Sequence, residues 1–185
     1  MKRVCIFCGS NTGANPAYIK AAQEIGRTLA QRSIGLVYGG VGTGLMGALA
    51  DAVIDSGGEA IGVIPSSIIK EDEIHKALTE LRLVNSMHER KAVMADISDA
   101  FVALPGGFGT FEEICEIITW SQLGLHDKPC GLVNVEGYYD YLLKFFDNAV
   151  KERFISKKDR SLLVVDSDVV NLLDLVYKCI DTRVD

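Results

Sequence analysis

Residues 101–123, FVALPGGFGTFEEICEIITWSQL, pass from an unbroken apolar run through a glycine cluster into helical spacing. Phe101–Leu104 is short and apolar throughout, as expected of a strand buried on both faces of a parallel sheet. Beyond the glycines, Phe111, Ile114, Ile117 and Ile118 recur at three and four residues and mark the buried side of a helix over Thr110–Leu123. Strand, glycine turn and helix in that order make one βα unit.

The same succession runs outward in both directions. Apolar runs at Val4–Cys8, Leu36–Tyr38, Ala60–Ile64, Leu81–Val84, Gly131–Val133 and Leu162–Val165 read as further strands. Helical patterns cover Pro16–Gln31, Leu45–Ser56, Met87–Ile97, Tyr138–Glu152 and Asp168–Ile180, and Asn15 before Pro16 fits an N-cap with proline at the first helical position. Ser66–Thr79 fits either a short helix or a loop. Alternation of this kind predicts an α/β fold: a doubly wound, mostly parallel sheet of about seven strands with helices on both faces. No repeat or linker divides it, so residues 1–185 are expected to form a single domain.

Composition bounds what such a domain does. The 185 residues carry 19 Lys+Arg against 25 Asp+Glu, a net charge of −6, with 48% hydrophobic residues and 18 glycines. A chain of this size buries roughly 70% of its unfolded surface and needs no staples. The acidic balance argues against a general nucleic-acid or anionic-membrane binder, while leaving room for a local basic site. Lys2 and Arg3 precede an apolar run that stops at Cys8, too short for a signal-peptide core, and no stretch approaches a membrane span. Five cysteines, an odd number, are expected as reduced thiols in a cytoplasm.

Three glycine clusters fall at strand ends: Gly9–Gly13, Gly39–Gly44 and Gly106–Gly109. In doubly wound sheets ligands bind beyond the carboxyl ends of the strands, and glycine turns that open helices offer backbone amides to an anion. A small phosphate-bearing ligand is therefore expected. Gly42-Thr43-Gly44-Leu45-Met46-Gly47 matches the dinucleotide fingerprint, yet the next strand ends Val63-Ile64-Pro65-Ser66 without the acidic residue a ribose needs. Cys5 and Cys8 have C-x-x-C spacing, but within a strand they point to opposite faces and suit core packing. His75-Lys76 lies in a polar stretch and reads as a solvated face.

Two segments combine charge with position. Met87, Arg90, Lys91 and Met94 share one helical face, which would hold an anion beside a flat apolar group or would simply be solvated. Glu112 and Glu113 follow the third glycine cluster in what reads as the first helical turn, where the dipole favours carboxylates. Trp120 lies two turns beyond, nearly above Glu113.

Pro105-Gly106-Gly107-Phe108-Gly109-Thr110-Phe111-Glu112-Glu113 fits P-G-G-x-G-T-x-x-E, and Met87-His88-Glu89-Arg90-Lys91 precedes it. With Cys8-Gly9-Ser10, Val37-Tyr38-Gly39-Gly40, Thr119-Trp120 and Asn134–Tyr138, this resembles the Lonely Guy family of cytokinin riboside 5′-monophosphate phosphoribohydrolases from about Val4 to Ser156. Val41-Gly42-Thr43 departs from the family's usual residues after the double glycine. The resemblance implies a modified Rossmann fold, usually a homodimer, with no metal or organic cofactor. It implies hydrolysis of the N-glycosidic bond of adenosine 5′-monophosphates, often N6-substituted. It puts the catalytic pair on Arg90 and Glu113, and nucleotide contacts on Glu80, Lys91, Gly106, Gly107, Gly109, Thr110 and Thr119. Relatives are often labelled lysine decarboxylases, but no convincing pyridoxal site is present here. A non-catalytic nucleotide carrier or sensor on the same fold is the competing reading, with an NAD-dependent oxidoreductase behind it.

Overall fold

A computed structural model describes residues 2–67 and 71–181. In chain order the elements are β1 (Arg3–Phe7), α1 (Ala17–Gln31), β2 (Gly35–Tyr38), α2 (Gly44–Asp55), β3 (Ala60–Pro65), β4 (Glu80–Val84) and α3 (Met87–Ile97). They continue with β5 (Ala100–Ala103), α4 (Phe108–Gln122), β6 (Cys130–Val133), α5 (Asp140–Lys151), α6 (Lys157–Arg160), β7 (Leu163–Asp166) and α7 (Val169–Asp181). The strands form one sheet in the order β4-β3-β2-β1-β5-β6-β7, and every pairing in it is parallel. This is the expected doubly wound α/β sheet.

Successive strand residues feed two cores. Val4, Ile6, Leu36 and Tyr38 pack with α1, α2 and α7, whereas Cys5, Phe7, Val37 and Phe101 pack with α3, α4 and α5. Burial on both faces is why the strands read as continuous apolar runs. It also puts Cys5 and Cys8 in different cores, as their spacing required. β4 is the exception: as an edge strand it leaves Leu81 and Leu83 exposed.

The chain winds outward from β1 to β4, returns to β5 beside β1, and winds outward the other way. Connections leaving β1 and β5 therefore diverge, and a crevice opens beyond their carboxyl ends.

Local signals set the helix ends. The Asn15 Oδ1 accepts from Ala17 N at 2.9 Å, with Pro16 at φ −63°, so the expected cap forms. Before α3, Ser86 Oγ accepts from Glu89 N at 3.1 Å while Glu89 Oε2 accepts from Asn85 N at 2.7 Å, a reciprocal cap. Two boundaries differ from expectation. α4 begins at Phe108, before Thr110, and α5 begins at Asp140 because Tyr139, at φ −95° and ψ 5°, leaves helical geometry just before it. In the ambiguous segment, Glu71–Glu73 forms one short 3-10 turn, and residues 68–70 lie outside the described part. Among the described residues no helix is long and apolar enough to cross a membrane.

Candidate active site

A cavity of about 470 Å³ occupies the crevice beyond β1 and β5. Two glycine loops wall it, Cys8–Gly13 after β1 and Pro105–Thr110 after β5, joined where Gly9 N donates to Pro105 O at 3.1 Å. Tyr18, Leu45, Met46, Arg90, Glu113 and Tyr138 complete the lining.

The two helix N-termini at this edge differ in what they offer. Leu45 N and Met46 N both donate to Gly9 O, at 3.1 and 3.3 Å, so the start of α2 is closed by protein. The dinucleotide-like cluster there is a structural joint, and of its six residues only Leu45 and Met46 reach the cavity. α4 is open. Its N-cap is Gly107, which has no side chain to cover the first turn, and Phe111 N is the first amide to find a carbonyl, Gly107 O at 3.1 Å. The amides of Phe108, Gly109 and Thr110 meet no acceptor among the described residues, which is how a helix N-terminus receives an anion.

Below that turn lies a buried ion pair. Arg90 Nη1 sits 2.9 Å from Glu113 Oε1, and the residues are only 8% and 5% exposed. The Arg90 Nε donates to Val63 O at 3.1 Å, which fixes the plane of the guanidinium. A Cβ at position 39 would lie 2.5 Å from Arg90 Nη2, so the glycine there makes room for the arginine. Burial pushes the Glu113 carboxyl above its ordinary range; the Arg90 guanidinium pulls back without cancelling this, and Glu112 adds to the rise. Burial likewise raises the Cys8 thiol, with Glu113 adding to it, so Cys8 contributes a neutral floor.

Of the expected site residues, Arg90, Gly106, Gly107, Gly109, Thr110 and Glu113 come together around the cavity. Three do not. Lys91 is buried beside Arg90 but turns to α4, where its Nζ meets Glu112 Oε1 at 2.5 Å and Glu116 Oε2 at 2.8 Å. Glu80 begins β4, at the opposite end of that strand from the crevice, and its carboxylate accepts from Arg82 Nε at 2.6 Å. Thr119 lies exposed on α4, donating to Cys115 O at 2.7 Å beside a separate groove with Ile118, Phe146 and Ile155. Within one copy of the chain none of these three lines the cavity.

Three further expectations change, and Trp120 takes a place that spacing alone left open. Arg90 and Lys91 are buried and paired, so the charge run on α3 is not a solvated face. Glu112 and Glu113 lie past the first turn of α4, because the helix starts earlier than expected, and dipole complementarity does not account for them. Trp120 packs against the core instead of the cavity. His75 is buried, its Nε2 3.0 Å from Asp51 Oδ1 and its Nδ1 accepting from Ala77 N.

Sequence reasoning missed the aromatic side of the cavity. Tyr18 and Tyr138 meet edge to face with ring centroids 5.4 Å apart, and Phe108 stands 91% exposed at the mouth. No local pattern marks Tyr18, and Tyr138, which ends the Asn134–Tyr138 match, is brought to Tyr18 only by the fold, across 120 residues. Phe108 sits inside the P-G-G-x-G-T motif, where it reads as a spacer.

Comparison with known proteins adds an independent line. The family described as "Possible lysine decarboxylase" matches residues 46–176. A cytokinin riboside 5′-monophosphate phosphoribohydrolase of Arabidopsis thaliana is 53% identical over 163 residues, covering 88% of this chain and 76% of the relative. A second Arabidopsis protein of that name is 52% identical over the same shares of both chains. Among solved structures, a molybdenum cofactor carrier protein of Chlamydomonas reinhardtii superposes with a TM-score of 0.75 at 22% identity, over 98% of each chain. At that identity the last match speaks for the fold alone.

Proposed function

The chain belongs to the Lonely Guy family, within the group described as possible lysine decarboxylases, and from that premise we infer that it is a phosphoribohydrolase. It cleaves the N-glycosidic bond of adenosine 5′-monophosphates, N6-substituted ones included, releasing free base and ribose 5-phosphate. The observation that carries this reading is the buried Arg90–Glu113 pair beneath the open amides of α4. Anion site and carboxylate are then one helical turn apart, about 5 Å, a span suited to a 5-phosphate and the ribose bearing it.

The proposed chemistry follows from the groups present. The phosphate docks on the amides of Phe108, Gly109 and Thr110 with the Thr110 hydroxyl alongside, and Gly106 and Gly107 keep the approach clear. As the C1′–N bond lengthens, its electron pair leaves with the base and positive charge builds on the ribose ring. Glu113, as a carboxylate, stabilises that charge and takes the proton of the water whose oxygen bonds to C1′. Arg90 holds Glu113 in place and orients the phosphoribosyl group, and the departing base takes up the proton that Glu113 received, which restores the carboxylate. Among the described residues no lysine lines the cavity to anchor a pyridoxal Schiff base, whatever the family's description suggests. We treat residues 1–185 as one such domain, acting as a homodimer in a cytoplasm.

A nucleotide panel tests the reading. AMP and isopentenyl-AMP should each yield base and ribose 5-phosphate in equal amounts, while the corresponding nucleosides, lacking the phosphate, should turn over at least tenfold more slowly. Equal turnover of nucleoside and nucleotide would remove the phosphate site from the account.

A further inference from the structure

Two adjacent tyrosines leave the β6–α5 connection and reach back to the loop after β5. Tyr139, fully buried, donates its phenol to Leu104 O at 2.6 Å. Tyr138, half-buried and lining the cavity, donates its phenol to Gly106 O. The two acceptors flank Pro105, so the connection grips the loop on both sides of the residue where strand turns into phosphate site. The tyrosines are themselves set by Asn134, whose Oδ1 accepts from Tyr139 N at 2.7 Å.

The need for such a grip lies in the loop's composition. Gly106 and Gly107 are consecutive, and a Cβ at Gly107 would meet nothing within 4 Å. Gly106 packs against Thr110 and Gly9, where a Cβ would clash, but on the Gly107 side the peptide has neither side chain nor neighbour to hold it, and there it turns more readily. Turned over, it would present its carbonyl oxygen where an anion expects amides. We propose that Tyr138 is a positioning residue for the substrate phosphate: by holding Gly106 O, its phenol keeps the Gly106–Gly107 peptide in the orientation that leaves the amides of Phe108, Gly109 and Thr110 open to the anion. The phenol is braced edge to face by Tyr18 at 5.4 Å and by Tyr139 at 4.9 Å, so its direction is fixed before any ligand arrives. Burial also raises the Tyr138 hydroxyl above its ordinary range, which keeps it a donor at neutral pH. This inference rests on reading the cavity as the site of a nucleotide 5′-monophosphate.

The test is Tyr138→Phe, which removes one hydroxyl and keeps the ring. Affinity for ribose 5-phosphate, measured by calorimetry, should fall about three- to tenfold, the worth of one hydrogen bond. The KM for AMP should rise by a similar factor with kcat much less affected, and the thermal midpoint should stay within about 2 °C of wild type. Ribose 5-phosphate bound as tightly by the variant as by wild type would overturn the proposal, as would a fall in kcat at unchanged KM. Failure of the functional reading gives a different result: wild type would then release no base from AMP, whatever the variant binds.

Discussion

Glu113 faces the cavity with its carboxylate held 2.9 Å from Arg90, and it is 5% exposed. Burial raises its proton affinity more than the guanidinium lowers it. A native group whose pKa is raised binds its proton more tightly than the unfolded chain does, so stability is lost as pH rises through the native pKa. Ionising Glu113, as the reaction needs, therefore costs folding stability. The same sign gives a kinetic prediction. Protonation removes the carboxylate, and the acid limb of kcat/KM should lie above the ordinary glutamate value of about 4.5. A profile flat down to that value would detach the reaction from Glu113. Lys91 shows how far residue identity alone can be read. Its burial opposes the charge, and Glu112 and Glu116 more than restore it, so its ammonium is raised overall. The run Arg90-Lys91 displayed two cations, but which one faced the cavity depended on where α4 lay, and no local spacing records that.

At the scale of elements, α1 and α2 are in close contact at Gly26, where a Cβ would lie 2.6 Å from Leu49 O and 2.9 Å from Ala52 Cβ. Two effects compete in Gly26→Ala. Helix propensity favours alanine by about 1 kcal/mol, whereas forcing atoms into a packed contact costs about 1–3 kcal/mol. The contact is with backbone, which cannot rotate aside, so the clash wins. Chemical denaturation should show a net loss of stability, and a raised midpoint would mean that α1 shifts freely over α2. Elements were legible where burial imposed a period. All seven strands appear within one residue of their apolar runs at the starting end, and for all but the edge strand β4 the cause is burial on both faces. The exception in kind is α6, Lys157–Arg160, whose polar sequence has no buried stripe and forms on the Ser156 cap, Oγ accepting from Asp159 N at 3.0 Å. The Ser86 and Glu89 cap of α3 is written locally, in the spacing Ser-x-x-Glu.

For the whole molecule, the order of strands is the fact that makes the site, and it is not local. Glycine clusters after β1, β2 and β5 looked alike in sequence; only the reversal between β1 and β5 separates the two that line the cavity from the one that closes α2. The surface carries a second molecular-scale feature. Leu123, Leu125, Phe145 and Phe154 are each at least 66% exposed, and Leu123, Phe145 and Phe154 adjoin in the chain Gln122, Phe146 and Ile155 of the groove that holds Thr119. A second copy covering this face would bury them, and would explain how Thr119, remote from the cavity of its own chain, could serve a nucleotide. Sedimentation velocity should therefore give a dimer for wild type and a monomer for the double variant Leu125→Asp, Phe145→Glu; a monomeric wild type would contradict this. The central claim is hydrolysis at Glu113. It is tested most directly by following free base and ribose 5-phosphate from isopentenyl-AMP, with wild type and Glu113→Gln side by side and nucleotide binding measured for both. The account predicts equimolar products from wild type and a loss of about a hundredfold or more in the variant with binding retained. Binding without release by wild type, or unchanged turnover by the variant, would contradict it.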